Sequence, residues 1–98
     1  MTFFLSFTPE AKESLKELKH SAHLEKRFKA VSKALKLLAD NPRHPGLQTH
    51  PYASLCGLNG EKVFEAYAEQ NTPAAYRIFF YYGKARGEIV VFAITPHP

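Results

Sequence analysis

The chain has 98 residues, with 13 Lys and Arg against 9 Asp and Glu, a net charge of +4 and a pI near 9.3. That length gives one domain spanning 1–98, with one core and no room for a second module. A composition 45% hydrophobic, 13% aromatic and 22% charged excludes a disordered or low-complexity chain. No apolar run approaches the about 20 residues of a membrane helix. Met1 to Thr8 has no basic leader segment, so it reads as a strand and not a signal peptide. The single cysteine, Cys56, has no internal disulfide partner, which fits a cytoplasmic protein. Its expected state is a small buried hydrophobe. Residues 1–40 hold eight basic and five acidic side chains, and residues 41–98 hold five and four. Such an excess favours polyanionic partners.

Phe3, Leu5 and Phe7 alternate with Phe4 and Ser6, the pattern of a strand. Thr8-Pro9-Glu10 then opens a helix. Thr8 caps, Pro9 suits the first turn and Glu10 meets the positive end of the dipole. Ala11, Leu15, Leu18 and Ala22 lie on one side of it, and His20 to His23 form a bend. The second helix carries the stripe Leu24, Phe28, Val31, Leu35, Leu38, widened by Ala30, Ala34 and Leu37. Asn41-Pro42 stops it, because the residue before proline leaves the helical region. Two helices so joined form an antiparallel hairpin.

Residues 41–60 read as a long loop, punctuated by Pro42, Pro45, Gly46, Pro51, Gly57 and Gly60, with a short strand or turn around Tyr52 to Leu55 left open. Three strands follow, at about Lys62–Gln70, Ala75–Tyr82 and Glu88–Thr95. They are joined by turns at Asn71-Thr-Pro-Ala and at 83–87. The expected architecture is α+β: an N-terminal strand, a helix hairpin and a three-stranded antiparallel meander, β-α-α-β-β-β. The helices cover one face of the sheet.

Along the middle strand, Tyr76, Ile78, Phe80 and Tyr82 alternate with Arg77, Phe79 and Tyr81. A guanidinium between apolar neighbours is costly unless it is paired or faces water. Arg77 therefore places its own set on the open face. A cation beside aromatic rings suits RNA, with arginine on phosphate and rings on bases. The competing reading of Arg77 is a salt bridge to Glu65 or Glu69 on the neighbouring strand.

Four segments in order resemble the RelE/ParE superfamily of bacterial toxin–antitoxin systems, and the resemblance covers nearly the whole chain. They are Phe7-Thr-Pro-Glu-Ala-Lys-Glu-Ser-Leu15, Ala39-Asp-Asn-Pro-Arg-His-Pro-Gly46, Tyr76-Arg-Ile-Phe-Phe80, and a last strand ending at His97. The resemblance implies a microbial-RNase-like fold and a small antitoxin that wraps the toxin. For the RelE, YoeB and HigB branches it implies metal-independent endoribonuclease action on mRNA in the ribosomal A site, hence translation inhibition. For the ParE branch it implies a non-enzymatic gyrase inhibitor. A degenerate toxin that only pairs with an antitoxin is the other non-enzymatic alternative. Whether the free protein is a homodimer stays open.

By the same resemblance, Arg77 matches the strand arginine that contacts the scissile phosphate, and His97 the near-terminal histidine of YoeB-like members. Metal-free RNA cleavage needs a base for the 2′-hydroxyl, a cation for the phosphorane and an acid for the leaving 5′-oxygen. The candidate catalytic residues are Arg77 as clamp, His97 for proton transfer and Glu65 as base, with structural pairing the alternative for Glu65. Lys62, Tyr81, Lys84 and Arg86 are candidate RNA contacts. His44 and His50 either orient substrate or join the acid–base set. As zinc ligands they lack the cysteine pair or acids that complete a site, so neither metal nor cofactor is expected.

Overall fold

A computed structural model of the chain describes residues 2–70, 72 and 74–96. The segment Asn71-Thr-Pro-Ala lies partly, and His97 wholly, outside the described residues. The elements are β1 (Phe4–Phe7), α1 (Pro9–His20), α2 (Glu25–Asp40), β2 (His50–Cys56), β3 (Lys62–Tyr67), β4 (Tyr76–Tyr82) and β5 (Glu88–Pro96). Short 3-10 turns at Ala22–Leu24 and Pro45–Leu47 punctuate the connections.

The first helix starts as its sequence requires. Thr8 is extended, and its hydroxyl accepts from the Ala11 N–H at 3.2 Å. The same hydroxyl donates to the Phe92 carbonyl at 3.1 Å, tying the start of α1 to β5. Ala11 and Leu18 are buried. Ala22 is exposed, contrary to expectation. Ser21, with φ −102° and ψ 108°, breaks the helical path and turns Ala22 outward. In α2 the stripe buries Val31, Ala34, Leu35 and Leu38, with Leu24, Phe28 and Leu37 half-buried beside them.

The sheet has five strands where the sequence reading counted four, in the order β1-β5-β4-β3-β2. The additional strand is β2, hidden in the presumed loop by Pro51. A proline fits at the rim of a sheet, where no ladder donor is required of it. β2 through β5 form an antiparallel meander, and β1 runs parallel beside β5. β3 ends at Tyr67, short of Gln70. There the Ala68 and Glu69 N–H groups both converge on the Tyr76 carbonyl and the ladder stops.

The two faces of the sheet differ. Ala66, Ile78, Phe80, Ile89, Val91 and Ile94 pack with the helices and Leu47 in one core. Arg77, Phe79 and Tyr81 occupy the opposite face, as the alternation required. A bulge between Phe79 and Phe80 adds Phe92 to that face. The Phe92 ring lies 6.2 Å from Phe79 and 6.0 Å from Tyr81. Bulges of this kind bend a strand and re-aim its side chains.

Candidate functional site

The open face gathers a charged cluster where β2, β3 and β4 meet. Register sets it. Glu65 pairs with His50 on one side and Phe79 on the other, while Tyr67 pairs with Arg77. Glu65 and Arg77 are therefore diagonal neighbours, a separation that long side chains span. The Arg77 Nη1 donates to Glu65 Oε2 at 2.5 Å. On its other oxygen, Oε1, Glu65 meets His50 Nε2 at 2.8 Å. The carboxylate side chain is 3% exposed, the guanidinium 11% and the imidazole 43%.

Aromatic rings wall the guanidinium. Its carbon lies 4.9 Å from the centre of Phe79 and 5.9 Å from that of Tyr52. Tyr52 and Phe79 meet edge to face at 4.9 Å. The Arg77 Nε is buried with no hydrogen-bond partner among the described residues. Such a donor is costly to leave unmade. It is held by the stack of rings and by the bond its neighbouring nitrogen makes.

His50 carries information about protons. Its Nδ1 lies 2.8 Å from the Gln48 carbonyl, which can only accept. Nδ1 therefore holds a hydrogen. The contact between Nε2 and the Glu65 oxygen then closes only when a second proton sits between them. Tyr67 flanks the pair, its ring 5.6 Å from that of His50. Burial first, then the Glu65 charge and hydrogen bond, push the Tyr67 hydroxyl pKa above its ordinary value, and Arg77 partly offsets them.

The other candidates lie elsewhere. Glu69 takes Arg27 at 3.4 Å and the Tyr76 N–H at 3.1 Å, so it is not the partner of Arg77. Lys62 sits 5.7 Å from the ring of Phe64, which packs toward the helical core, so it lies away from the Arg77 face. Lys84 and Arg86 are exposed in the turn after Tyr82. Arg77 is at the opposite end of β4, about 17 Å away at the usual strand rise. Tyr81 shares the open face, and burial, then the Glu61 and Glu88 charges, raise its hydroxyl pKa. Cys56 is exposed on the edge strand, not buried. His44 turns away from the cluster, its Nδ1 accepting from the Gly46 N–H at 3.0 Å.

Two cluster members escaped a firm assignment from sequence. His50 was placed in a loop and Tyr52 was not singled out. The available signal was the two-residue spacing of His50 and Tyr52, which puts both on one face once β2 is recognised as a strand. Among the described residues, no helix is long and apolar enough to cross a membrane.

A helix hairpin on one face of a five-stranded sheet is an architecture found among solved structures. The chain is similar to one in the crystal structure of the archaeal RelE-RelB complex from Pyrococcus horikoshii OT3. The two share 15% identity and a TM-score of 0.64, over 98% of this chain and 96% of that one. The chain thus has the RelE-type fold. No protein-family model and no curated protein matches the sequence. At this identity the likeness speaks for the fold, and the chemistry has to be argued from the chain's own side chains.

Proposed function

We propose that this chain is a toxin-type endoribonuclease that cleaves mRNA on the ribosome without a metal, and that a small antitoxin holds it in check in the cytoplasm. The observation that carries this reading is the buried Glu65, held between the Arg77 guanidinium and the His50 imidazole on the face opposite the helices. The RelE-type fold supports it, and the similar structure is itself a complex with RelB.

The residues fill the roles that metal-free cleavage demands. Without the shared proton, Glu65 and His50 form an anionic acceptor for the 2′-hydroxyl proton. As that proton leaves, O2′ bonds to phosphorus and the phosphorane forms. Once neutral, Glu65 holds Arg77 less tightly, and the guanidinium turns to the phosphorane oxygens that its planar fork matches. The bond from phosphorus to O5′ then breaks, with His97 donating the proton that O5′ takes. The products are a 2′,3′-cyclic phosphate and a 5′-hydroxyl.

One observation favours a second reading. Arg77 is already neutralised by Glu65, which suits a protein that binds a partner or gyrase and cuts nothing. RNA incubated with the chain and translating ribosomes separates the two. Cyclic-phosphate ends that fall by orders of magnitude in Arg77→Ala, Glu65→Gln and His97→Ala, each still folded by circular dichroism, support the nuclease. Growth arrest that survives all three changes, or loss of supercoiling in place of translation, supports the second reading.

A further inference from the structure

The sheet has another concave surface, on the side away from the Arg77 face. A cleft of about 420 Å³ lies beside edge strand β2, lined by Arg43, His44, Gln48, His50, Phe64 and Tyr82 among others. Its volume is within the range of small-ligand sites. Its floor is aromatic. Phe64 and Tyr82 meet at 75° with their centres 5.7 Å apart, and Phe3 lies 6.0 Å beyond Tyr82. Tyr82 is 42% exposed, an unusual state for so large a ring in a core-facing strand.

The charge lining that floor has one sign. Arg43 is exposed at the rim. The Lys62 ammonium lies 5.7 Å from the centre of the Phe64 ring, in a neighbouring pocket that it shares with Glu61. Neither forms an ion pair among the described residues. His44 accepts from Gly46 on Nδ1, so its neutral form carries the hydrogen on Nε2, a free donor at the wall. No Asp or Glu lines the cleft. An exposed ring backed by a half-buried one, beside a cation with no ion pair, is a combination that single-stranded nucleic acid uses. Bases stack on the rings and phosphates meet the cations. An acidic peptide satisfies the cation but leaves the rings unused.

We infer that this cleft is a nucleotide subsite for single-stranded RNA, stacking a base on Tyr82 and Phe64 and holding the adjoining phosphate on Arg43. His50 lines the cleft and also holds Glu65, so a strand seated here continues round the β2 edge to the cluster. In that respect the inference rests on the nuclease reading, with the cleft holding nucleotides flanking the scissile bond.

The test is equilibrium binding of a fluorescein-labelled, fully 2′-O-methylated RNA octamer, which cannot be cleaved, read by anisotropy. Tyr82→Ala is expected to weaken binding about tenfold through the lost stack. Arg43→Gln is expected to weaken it and to reduce the slope of log affinity on log salt by about 0.7. Lys16→Gln on α1 makes the same charge change far from the cleft and is expected to leave the affinity unchanged. Equal weakening by Lys16→Gln, indifference to Tyr82→Ala, or poly-glutamate competing as well as the octamer each overturns the subsite. If the chain cuts no RNA in the ribosome assay, the nuclease reading fails. The subsite still stands if Tyr82 and Arg43 govern octamer binding.

Discussion

The Arg77–Glu65 pair makes a quantitative claim that a double-mutant cycle can check. Both side chains are almost fully buried, so solvent screening gives little relief. Removing one partner of a buried ion pair costs about 3–5 kcal/mol, because the other charge stays behind without compensation. The two single changes are not equivalent. Arg77→Met leaves Glu65 its bond to His50 at 2.8 Å, so the cost falls near the lower end, about 3 kcal/mol. Glu65→Met leaves the guanidinium only its aromatic walls, with Nε already unsatisfied, so the cost falls nearer about 5 kcal/mol. A domain of this size has roughly 5–15 kcal/mol in total, so each change removes a large share. Replacing both by methionine leaves no stranded charge, and the double variant should lose less than about 2 kcal/mol. Urea denaturation followed by far-ultraviolet circular dichroism measures all four proteins. Single costs below about 1 kcal/mol, or a double cost equal to the sum of the singles, refute the reasoning, since coupled contacts do not add.

Two further outcomes follow from the geometry. Tyr67 and Tyr81 hold their protons more tightly folded than unfolded, so above pH 10 the unfolded chain has released protons that the native chain still keeps. Their contribution is complete below pH 10 and is lost as pH rises through the folded values. An ultraviolet titration should show two tyrosines ionising late, and a single early transition for all five would contradict it. Thr8→Ala removes both the cap of α1 and its bond to the Phe92 carbonyl, at a cost of about 1–2 kcal/mol in thermal or urea unfolding, whereas a cost near zero would mean that water replaces both bonds.

What could be read from sequence was local, and what could not was long-range pairing. The α2 stripe and the Thr8-Pro9 start depend on neighbours within a few residues, and both hold. Two-residue alternation separates the two faces, the cost of burying a guanidinium chooses between them, and Arg77 does lie on the face away from the helices. β2 was foreseen only as a short strand or turn around Tyr52 to Leu55, without His50, because Pro51 marks a loop unless one knows that the strand lies at an edge, and no local pattern says so. That omission hid the cluster. His50 and Glu65 are 15 positions apart, and only the β2–β3 register brings them opposite. The choice between Glu65 and Glu69 as partner of Arg77 had the same origin. Both fall on one face of the expected strand 62–70, and only the end of the ladder at Tyr67 gives Glu69 to Arg27 and the Tyr76 amide.

A neutralised guanidinium need not be an idle one. An anion that binds Arg77 has to take it from Glu65, and a carboxylate left at 3% exposure with only the His50 contact is disfavoured. The exchange is easy only if Glu65 gains a proton in the same event. The His50 contact provides a place for that proton, because Nε2 and Oε1 lie 2.8 Å apart and hold one between them once it is delivered. The 2′-hydroxyl of RNA brings both requirements together, a proton to give and a phosphate beside it. A simple anion brings the charge without the proton. On the proposed nuclease reading, the same lock that keeps Arg77 from binding anions at large would make it responsive to a ribonucleotide, and the pairing that argues against nuclease chemistry would become a source of its selectivity.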